Sequence, residues 1–448
     1  MNAPRTSDPV AAPGGLRADL QAFVERAAAR DVLVVQPRMG MTDPEAMGAG
    51  LRAVAATEAT TVGTITVDSY TRVGDLTVAE TAVRKGLALN GYPIATHRPE
   101  VTRAMLDRVP AAVPVQVRHG SADPRHVFEA MSTTGLYASE GGPVSYCLPY
   151  SRMPLAEAAE AWSEACYRLT EEAAAHGRRA HLETFGGCML GQLCPPSLLV
   201  ALSVLEAMFF VQRGLRSVSL SYAQQTHAVQ DVEALAALGA LADEYLPSGI
   251  AWHSVLYTYM GVYPRTPEGA RLLLESSARV AVRGGAQRLI VKTVAEAHRI
   301  PTVEENIAAL EFASRAAAGA RTEECALPWA WEADYSRIHE EARALIEAAL
   351  EADSDVGAAL HRSFRHGVLD VPYCLHRDNA GRARGAIAAC GRLVWAARGS
   401  MPLPWRENGG GVRVTSDRLL GMLQHTARTH DHAALTRRAP RARELPDG

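Results

Sequence analysis

Short apolar runs recur along the first two thirds of the chain, and a stretch with helix-forming character separates each from the next. Several runs are apolar throughout rather than alternating, which is typical of strands covered on both faces. The predicted strands are VLVV (from Val32), VGTITV (Val62), PVQV (Pro114), VSYCL (Val144), HLETF (His181), SVSL (Ser217), WHSVLY (Trp252) and LIV (Leu289). LNGYPI, from Leu89, is a weaker ninth candidate, so we expect one of the nine to lie outside the sheet or in a loop.

The segments between the strands carry signals that start and stop helices. After the first strand, Asp43 is placed to cap a helix whose first turn holds Pro44 and Glu45. A later segment repeats this pattern from Thr266 and ends at the glycine pair 284–285. About eight strand–helix alternations over roughly 300 residues predict an α/β fold of the (β/α)8 TIM barrel class. A doubly wound open sheet is the alternative, but no GxGxxG motif follows a strand.

The alternation of predicted strands and helices ends after residue 320. DYSRIHEEARALIEAALEA predicts a helix, and RARGAIAACGRLVWAARG predicts a small hairpin. We therefore expect a flexible N-terminal tail at 1–18, the barrel at 19–320, and a smaller C-terminal α+β domain with a frayed tail at 321–448. HTARTHDH, from His425 to His432, is interpreted as part of a solvated tail, with metal binding a remote second.

Composition limits the classes of function. The 448 residues are 48% hydrophobic and 21% charged with a net charge of -3, an ordinary soluble balance. This charge gives little support to nucleic-acid binding, which needs a basic excess. The longest apolar run starts at Ser197, is interrupted by Glu206 and is too short to span a bilayer, so it predicts a buried helix.

The N-terminal residues and the cysteines indicate the cellular compartment. The first residues contain no apolar segment and are not a signal peptide. The seven cysteines are an odd number, and the spacing of Cys188 and Cys194 fits no common zinc motif. We expect reduced thiols in a cytoplasmic protein with no metal held by its own residues.

Three predicted strands are followed closely by an arginine. VLVV precedes Arg38, VGTITV precedes Arg72, and PVQV precedes Arg118 and His119. In a barrel the carboxyl ends of all strands converge on the face where active sites form. One arginine at a strand end is more often a surface ion pair. Three guanidinium forks after three separate strands indicate a small ligand with more than one carboxylate.

The same face would receive a carboxylate and two tyrosines. Glu140 lies in SEGGPVSY, and Tyr146 and Tyr150 lie in and just after the predicted strand VSYCL. A lone carboxylate among arginines can hold the ammonium group of an amino acid. The set therefore fits a dicarboxylic amino acid better than a phosphate ester, although Tyr146 has a simpler interpretation as a core residue.

A further pair of charges follows the last predicted strand. Lys292 ends LIVK, and Glu296 comes four residues later, as if on the first turn of the next helix. A salt bridge at a helix start would be the simpler explanation for this pair. Asn90 and Gly91 are placed in a turn after a helical segment.

Six motifs, in order, resemble the epsilon subunit of glutamate mutase (methylaspartate mutase). They are QPRMG, DSYTR, LNGYP, QVRHG, EGGPVSYCLPY and VKTVAEAHRIPT, and the similarity runs from Arg38 to Thr302. FRHGVLDVPY and DNAG extend it more loosely. The resemblance implies a barrel that uses adenosylcobalamin (coenzyme B12) in a radical isomerisation of (S)-glutamate to (2S,3S)-3-methylaspartate.

The resemblance also implies a role for each candidate residue. Arg38, Arg72 and Arg118 match an arginine claw that grips the two substrate carboxylates. Glu140 matches a carboxylate that contacts the substrate amino group and acts as a base, so Glu140 and Arg118 are the expected catalytic residues. The remaining matches are substrate-side tyrosines at Tyr146 and Tyr150, adenosyl-ribose contacts at Lys292 and Glu296, and positions near the adenosyl group at Thr66 and Asn90.

The family holds cobalt through a histidine of a DxHxxG motif on a small Rossmann-like subunit. No DxHxxG occurs in this sequence, and THDHAAL lacks the final glycine. The resemblance therefore implies a separate small cobalamin-binding subunit, with a hetero-oligomer built around a barrel dimer. The substrate would be a small amino-dicarboxylate, with no nucleic acid or membrane as a partner.

Some features depart from the family. LETFGGCMLGQLCPP differs from the family's FGPLTGTLVPP-like stretch near the cofactor, the leader is shorter, and the usual C-terminal ending is missing. A glutamate analogue is therefore an alternative substrate. A Schiff-base lyase or aldolase using Lys292 is an alternative chemistry, and an inactive scaffold homologue is the non-enzyme alternative.

Overall fold

The computed structural model describes residues 17–186, 193–322, 334–404 and 414–438. The predicted N-terminal tail lies outside these ranges except for Arg17 and Ala18. These two residues are held in place: Arg17 donates from Nη2 to the Leu106 carbonyl at 2.7 Å, and the Ala18 N–H donates to the Ala111 carbonyl at 2.7 Å. Cys188 also lies outside the described residues.

The described residues contain ten strands. They are β1 Val34–Gln36, β2 Gly63–Thr66, β3 Val115–Arg118, β4 Ala138–Gly141, β5 His181–Thr184, β6 Ser217–Ala223, β7 Ala251–Tyr257, β8 Arg288–Ile290, β9 Ala383–Ile387 and β10 Leu393–Arg398.

Helices alternate with the strands and continue beyond them. They are α1 Leu20–Ala28, α2 Pro44–Ala55, α3 Ser69–Val73, α4 Leu76–Arg84, α5 Pro99–Asp107, α6 Arg125–Thr133, α7 Leu155–Ala175, α8 Pro196–Gln212, α9 Ala228–Tyr245, α10 Pro267–Arg283, α11 Val303–Thr322, α12 Ser336–Leu350, α13 Val356–His366, α14 Ser416–Leu423 and α15 His425–Arg438. The predicted helix starts are confirmed, since Asp43 caps α2 and Thr266 caps α10 through side-chain acceptors.

The first eight strands form one parallel barrel. Each strand from β2 to β7 pairs with the next one along the chain, and β8 pairs with β1. A parallel bridge between Val35 and Thr61 closes the ring between β1 and β2. The predicted (β/α)8 barrel is therefore confirmed, as is the small C-terminal hairpin, in which β9 and β10 are antiparallel.

One predicted strand is wrong. VSYCL from Val144 forms turns, and the fourth strand is instead β4, whose sequence ASEG is small and polar. These side chains suit a barrel interior lined with polar groups, so the apolar run marked the buried turn after the strand. LNGYPI lies outside the barrel, as expected for one candidate, and contributes a single bridge between Val67 and Tyr92.

Helix α1 covers the amino-terminal end of the barrel. Leu20 and Val24 of α1 share a small apolar core with Val34 and Ala138, the first residues of β1 and β4, and with Val62, which directly precedes β2. This packing leaves the carboxyl ends of the strands as the open face.

The barrel interior holds a polar network instead of the usual branched apolar layers. Arg288 and Glu183 form an ion pair in which both side chains are 0% exposed. Arg288 also donates from Nη1 to Gln116 Oε1 at 3.1 Å, and Gln36 donates from Nε2 to the same Gln116 oxygen at 2.8 Å. The four residues belong to β8, β5, β3 and β1, so one network ties together strands from all around the barrel.

The C-terminal segment packs on the barrel helices. Leu345 of α12 and Phe364 of α13 belong to the same apolar core as Leu205 of α8. The hairpin is attached to the start of α9, where Gln230 exchanges hydrogen bonds with Leu393 at 2.9 and 2.8 Å. The domain boundary near residue 320 stays a prediction.

The interpretation of HTARTHDH as solvated tail is wrong. These residues begin α15, and Thr426 and Ala427 are buried. Asp431 accepts the N–H groups of Arg265 at 2.9 Å and Thr266 at 3.0 Å, so its carboxylate helps to cap α10. Within the described ranges, no helix has the length and hydropathy that a bilayer span requires.

Candidate active site

The carboxyl-terminal face of the barrel contains a buried ion pair. Arg118, the last residue of β3, approaches Glu140 of β4 with 2.8 Å between Nη2 and Oε2. Their side chains are only 5% and 2% exposed. Two of the predicted substrate residues are therefore brought into direct contact.

Two tyrosines complete the surroundings of Glu140. The Tyr146 hydroxyl donates to Oε1, and the Tyr257 hydroxyl lies 2.8 Å from Oε2. Burial raises the pKa of the Glu140 carboxyl, and its neighbour Glu183 adds to this, while Arg118 opposes the shift. The carboxylate is thus held at both oxygens in a place where it retains a proton more readily than an exposed glutamate.

A glycine turn places Tyr146. Gly141 ends β4 with φ of +127°, a conformation that favours glycine. A Cβ at Gly141 would lie 2.5 Å from the Tyr146 ring and 2.6 Å from Trp162. The turn therefore lets the ring fold back against the strand that carries Glu140.

Arg72 and Tyr150 extend the site outward. Arg72 lies in the last turn of α3, and its guanidinium carbon is 5.7 Å from the centre of the Tyr150 ring. The Tyr150 and Tyr146 rings are 5.8 Å apart. Gly120, with φ of +72°, lets the Arg72 side chain approach closely. A cavity of about 270 Å³ opens beside Arg72 and Tyr150.

A second charged group lies at the rim after β1 and β8. Glu296 Oε2 is 3.5 Å from Arg38 Nη1 and 3.6 Å from Lys292 Nζ. The Lys292 ammonium lies 5.0 Å from the centre of the Tyr263 ring. Arg38 thus contacts a different partner from Arg118. The expected helix start is wrong, because Glu296 lies in a turn and α11 begins only at Val303.

Thr66 lies between the two groups. It is in register with Arg118 on the neighbouring strand, and its N–H donates to the Met39 carbonyl at 2.8 Å. Gly40 makes this approach possible, since a Cβ there would lie 2.3 Å from the Thr66 carbonyl oxygen. Asn90 is exposed at the edge, where its Oδ1 accepts the Ser69 N–H at 2.9 Å.

Two buried donors in the site lack an acceptor. Arg118 Nη1 and Thr66 Oγ1 are both buried without a hydrogen-bond partner among the described residues. Leaving such groups unpaired is unfavourable, so both atoms are suited to a ligand. Among the residues that the structure describes, no group of three or more histidine, cysteine, aspartate or glutamate side chains is arranged to hold a metal ion.

Two residues of the site, Tyr257 and Glu183, were not predicted from the sequence. Tyr257 ends β7, contacts both Glu140 and Glu183 through its hydroxyl, and lies under Arg118 with 4.9 Å from ring centre to guanidinium carbon. Glu140 is therefore not the lone carboxylate that was expected. The signal for Tyr257 was available, because it closes the predicted strand WHSVLY just as Arg118 closes another.

Solved structures share the fold only weakly. A truncated 3-deoxy-D-arabino-heptulosonate 7-phosphate synthase from Thermotoga maritima aligns with a TM-score of 0.34 at 12% identity, covering 66% of this chain and 87% of that one. The YdjI aldolase from Escherichia coli aligns with a TM-score of 0.32 at 12% identity, covering 71% and 100%. Similarity at this level says nothing about activity.

Sequence relatives are much more informative. The glutamate mutase epsilon subunit of Halobacterium salinarum is 32% identical over 388 residues, which cover 84% of this chain and 75% of that protein. The protein of the same name from Yersinia enterocolitica is 30% identical over 350 residues, covering 76% and 72%. The family model described as methylaspartate mutase E chain matches residues 17–409. This chain therefore belongs to the methylaspartate mutase E chain family.

Proposed function

We propose that this chain is the large catalytic subunit of an adenosylcobalamin-dependent glutamate mutase, which converts (S)-glutamate to (2S,3S)-3-methylaspartate. The observation that supports this most directly is the buried Arg118–Glu140 pair with an unused donor on Arg118. The names of the relatives support the same reaction.

The substrate carboxylates would bind to the arginines. Arg118 Nη1 is a buried donor without a partner and so is suited to a carboxylate oxygen. Arg72, stacked beside Tyr150, would take the second carboxylate together with Arg38 at the rim. Arg38 would have to share its guanidinium between the substrate and Glu296.

Glu140 would hold the substrate ammonium group and move its proton. Since burial raises its pKa, the carboxylate is a better proton acceptor than an exposed glutamate. The hydroxyls of Tyr146 and Tyr257 would fix its two oxygens while the proton is transferred at one of them.

The residues at the rim fit an adenosyl group. Lys292 and Glu296 offer charged groups to the ribose hydroxyls, and Thr66 has a buried hydroxyl without a partner. Asn90 and Gly40 border the same face, and the backbone of Gly40 closely approaches Thr66. Adenosylcobalamin, when bound, would supply the radical chemistry of the rearrangement. The protein would orient the substrate and exclude water from the radicals.

A second polypeptide is part of this proposal. The chain has no DxHxxG motif for the cobalt ligand, and its relatives are called epsilon subunits. We propose a small cobalamin-binding subunit that carries this motif, in a cytoplasmic hetero-oligomer built around a barrel dimer.

The geometry favours this reaction over a Schiff-base lyase. A Schiff base needs a neutral lysine amine as the nucleophile. Lys292 instead lies 3.6 Å from Glu296 and over the face of Tyr263, and both contacts favour a charged ammonium.

The test is a mutase assay with this chain, a small cobalamin-binding subunit, adenosylcobalamin and (S)-glutamate, followed by NMR for 3-methylaspartate. We expect product only when all four components are present. If no product forms while a matched partner is bound and loaded with cobalamin, glutamate is not the substrate. A glutamate analogue or the lyase chemistry would then be the next candidate.

Replacing Tyr257 with phenylalanine tests the residue that the sequence did not indicate. The change removes the hydroxyl that lies 2.8 Å from Glu140 and leaves the ring under Arg118 in place. A hydrogen bond to a charged group contributes roughly 1.5–3 kcal/mol, so we expect kcat/KM for glutamate to fall about 10- to 100-fold. Tyr167→Phe, on the exposed face of α7, is the matched control. Equal activities of the two variants would remove Tyr257 from the site.

A further inference from the structure

One buried carboxylate outside the substrate contacts has an unusual position. Glu206 is the only charged residue of α8, whose sequence is otherwise apolar or small apart from its last residue, and its side chain is fully buried. Its Oε1 accepts the N–H groups of Val144 at 3.0 Å and Ser145 at 2.8 Å. Burying a carboxylate is unfavourable unless it is hydrogen-bonded, so these two bonds are central to its placement.

The two N–H groups belong to residues 142–150, the active-site turn, which follows β4. Inside the active-site turn, the Tyr146 N–H donates to the Gly142 carbonyl at 3.1 Å, and the Leu148 N–H donates to the Val144 carbonyl at 3.0 Å. These bonds are helix-like, so the first N–H groups of the turn find no acceptor within it. Glu206 supplies from another element the oxygen that a capping side chain supplies inside a helix.

A glycine next to Glu206 makes this contact sterically possible. Gly142 faces the carboxylate so closely that a Cβ there would lie 2.1 Å from Glu206 Oε1 and 2.3 Å from its Cδ. A side chain at residue 142 would therefore displace Glu206 or the active-site turn. This close approach is a second observation, independent of the hydrogen bonds, that the two parts are fitted to each other.

We propose that Glu206 is a positioning residue, which fixes the active-site turn and thereby holds Tyr146 against Glu140 and Tyr150 against Arg72. Both tyrosines lie in this turn, and neither contacts Glu206 in the interactions described above. The identity of the substrate in this inference rests on the proposed function, but the positioning of the turn does not.

The carboxyl gives the proposal a signature in pH. Burial raises the pKa of Glu206 to about 7, and hydrogen bonds from Ser145 and from the backbone of Val144 and Phe185 oppose this shift. Opening of the turn would expose Glu206 to water and return its pKa towards 4.5. The closed turn therefore binds the proton more tightly than the open one. Opening should become easier as pH rises from about 4.5 to about 7 and then change no further.

Hydrogen–deuterium exchange of the full chain between pH 5 and pH 8 tests this signature without any substrate. After correction for intrinsic exchange, protection of the active-site turn in the wild type should fall by up to about tenfold per pH unit and level off near pH 7. Glu206→Gln keeps one acceptor oxygen but cannot titrate, so its protection should depend less steeply on pH than that of the wild type, and the dependence that remains is due to Glu140, which accepts from Tyr146 of the turn. A wild-type profile that is flat, or one that Glu206→Gln reproduces, would overturn the proposal.

A second pair of variants separates positioning from general stability. Gly142→Ala leaves Glu206 in the chain but crowds it, so we expect faster exchange in the active-site turn and a KM for glutamate raised about tenfold, with a smaller change in kcat. Val200→Ala removes buried methyl groups from the same helix and is the control. It should lower the melting temperature without either effect.

The outcomes also separate this inference from the proposed function. Altered exchange in a protein without mutase activity would retain the positioning role and reject the substrate. Mutase activity in the wild type, with unchanged exchange and KM in Gly142→Ala, would support the proposed function and reject the positioning role of Glu206.

Discussion

Glu140→Gln is expected to lower kcat/KM for glutamate by about 10²- to 10⁴-fold, the usual contribution of a positioned general acid or base. Glutamine keeps the volume and one acceptor oxygen but cannot take up the substrate proton. It also leaves Arg118 buried without its counter-charge, since the two side chains are only 5% and 2% exposed. Steady-state kinetics of the assembled enzyme, with product measured by NMR, provide the test.

A matched change elsewhere controls for the loss of a carboxylate. Glu129 is exposed on α6, and Glu129→Gln should leave kcat/KM unchanged. If Glu140→Gln lost less than about fivefold in activity while remaining folded, Glu140 would not be the proton acceptor, and the ammonium group would have to bind elsewhere.

Arg288→Met is expected to have the largest effect on stability, lowering the free energy of unfolding by about 3–5 kcal/mol. The substitution removes the cation but leaves Glu183 buried, with both side chains of the pair at 0% exposure. Changing Glu183 to glutamine as well should restore part of the loss, because the second substitution removes the uncompensated charge. Equilibrium urea unfolding of the two single variants and the double variant gives the coupling energy.

The comparison needs an arginine without such a partner. Arg271 is exposed on α10, and Arg271→Met should change the free energy of unfolding by no more than about 0.5 kcal/mol. Simple addition of the two single effects in the double variant would mean that the Arg288–Glu183 contact contributes nothing as a pair.

The barrel could be predicted because its strands are short, buried and separated by capped helices. Seven of the eight strands coincided with apolar runs, and the arginine at the end of β3 followed directly from that periodicity. The exception, β4, could not be found in this way. Its residues ASEG are small and polar because they line a polar interior, whereas the apolar residues next to it are buried in a turn.

The polar network inside the barrel also could not be predicted from the sequence. Arg288 and Glu183 each lie next to apolar residues, and a single charge in such a run gives no sign of which distant residue neutralises it. The pairing of Arg38 with Glu296 was hidden for the same reason, since the two residues meet only when the ring closes between β1 and β8. Family resemblance indicated the residues of the site, but not these contacts.

The polar interior has a consequence for the way the chain folds during synthesis. Glu183 leaves the ribosome 105 residues before Arg288, which lies on the last strand of the barrel. Until β8 arrives, a half-built barrel would have to bury a carboxylate without its counter-ion, which is strongly unfavourable. Closing of the early strands into a barrel before β8 is available is therefore not favourable. Docking of the final strand and neutralisation of the interior are therefore expected to occur as one cooperative event.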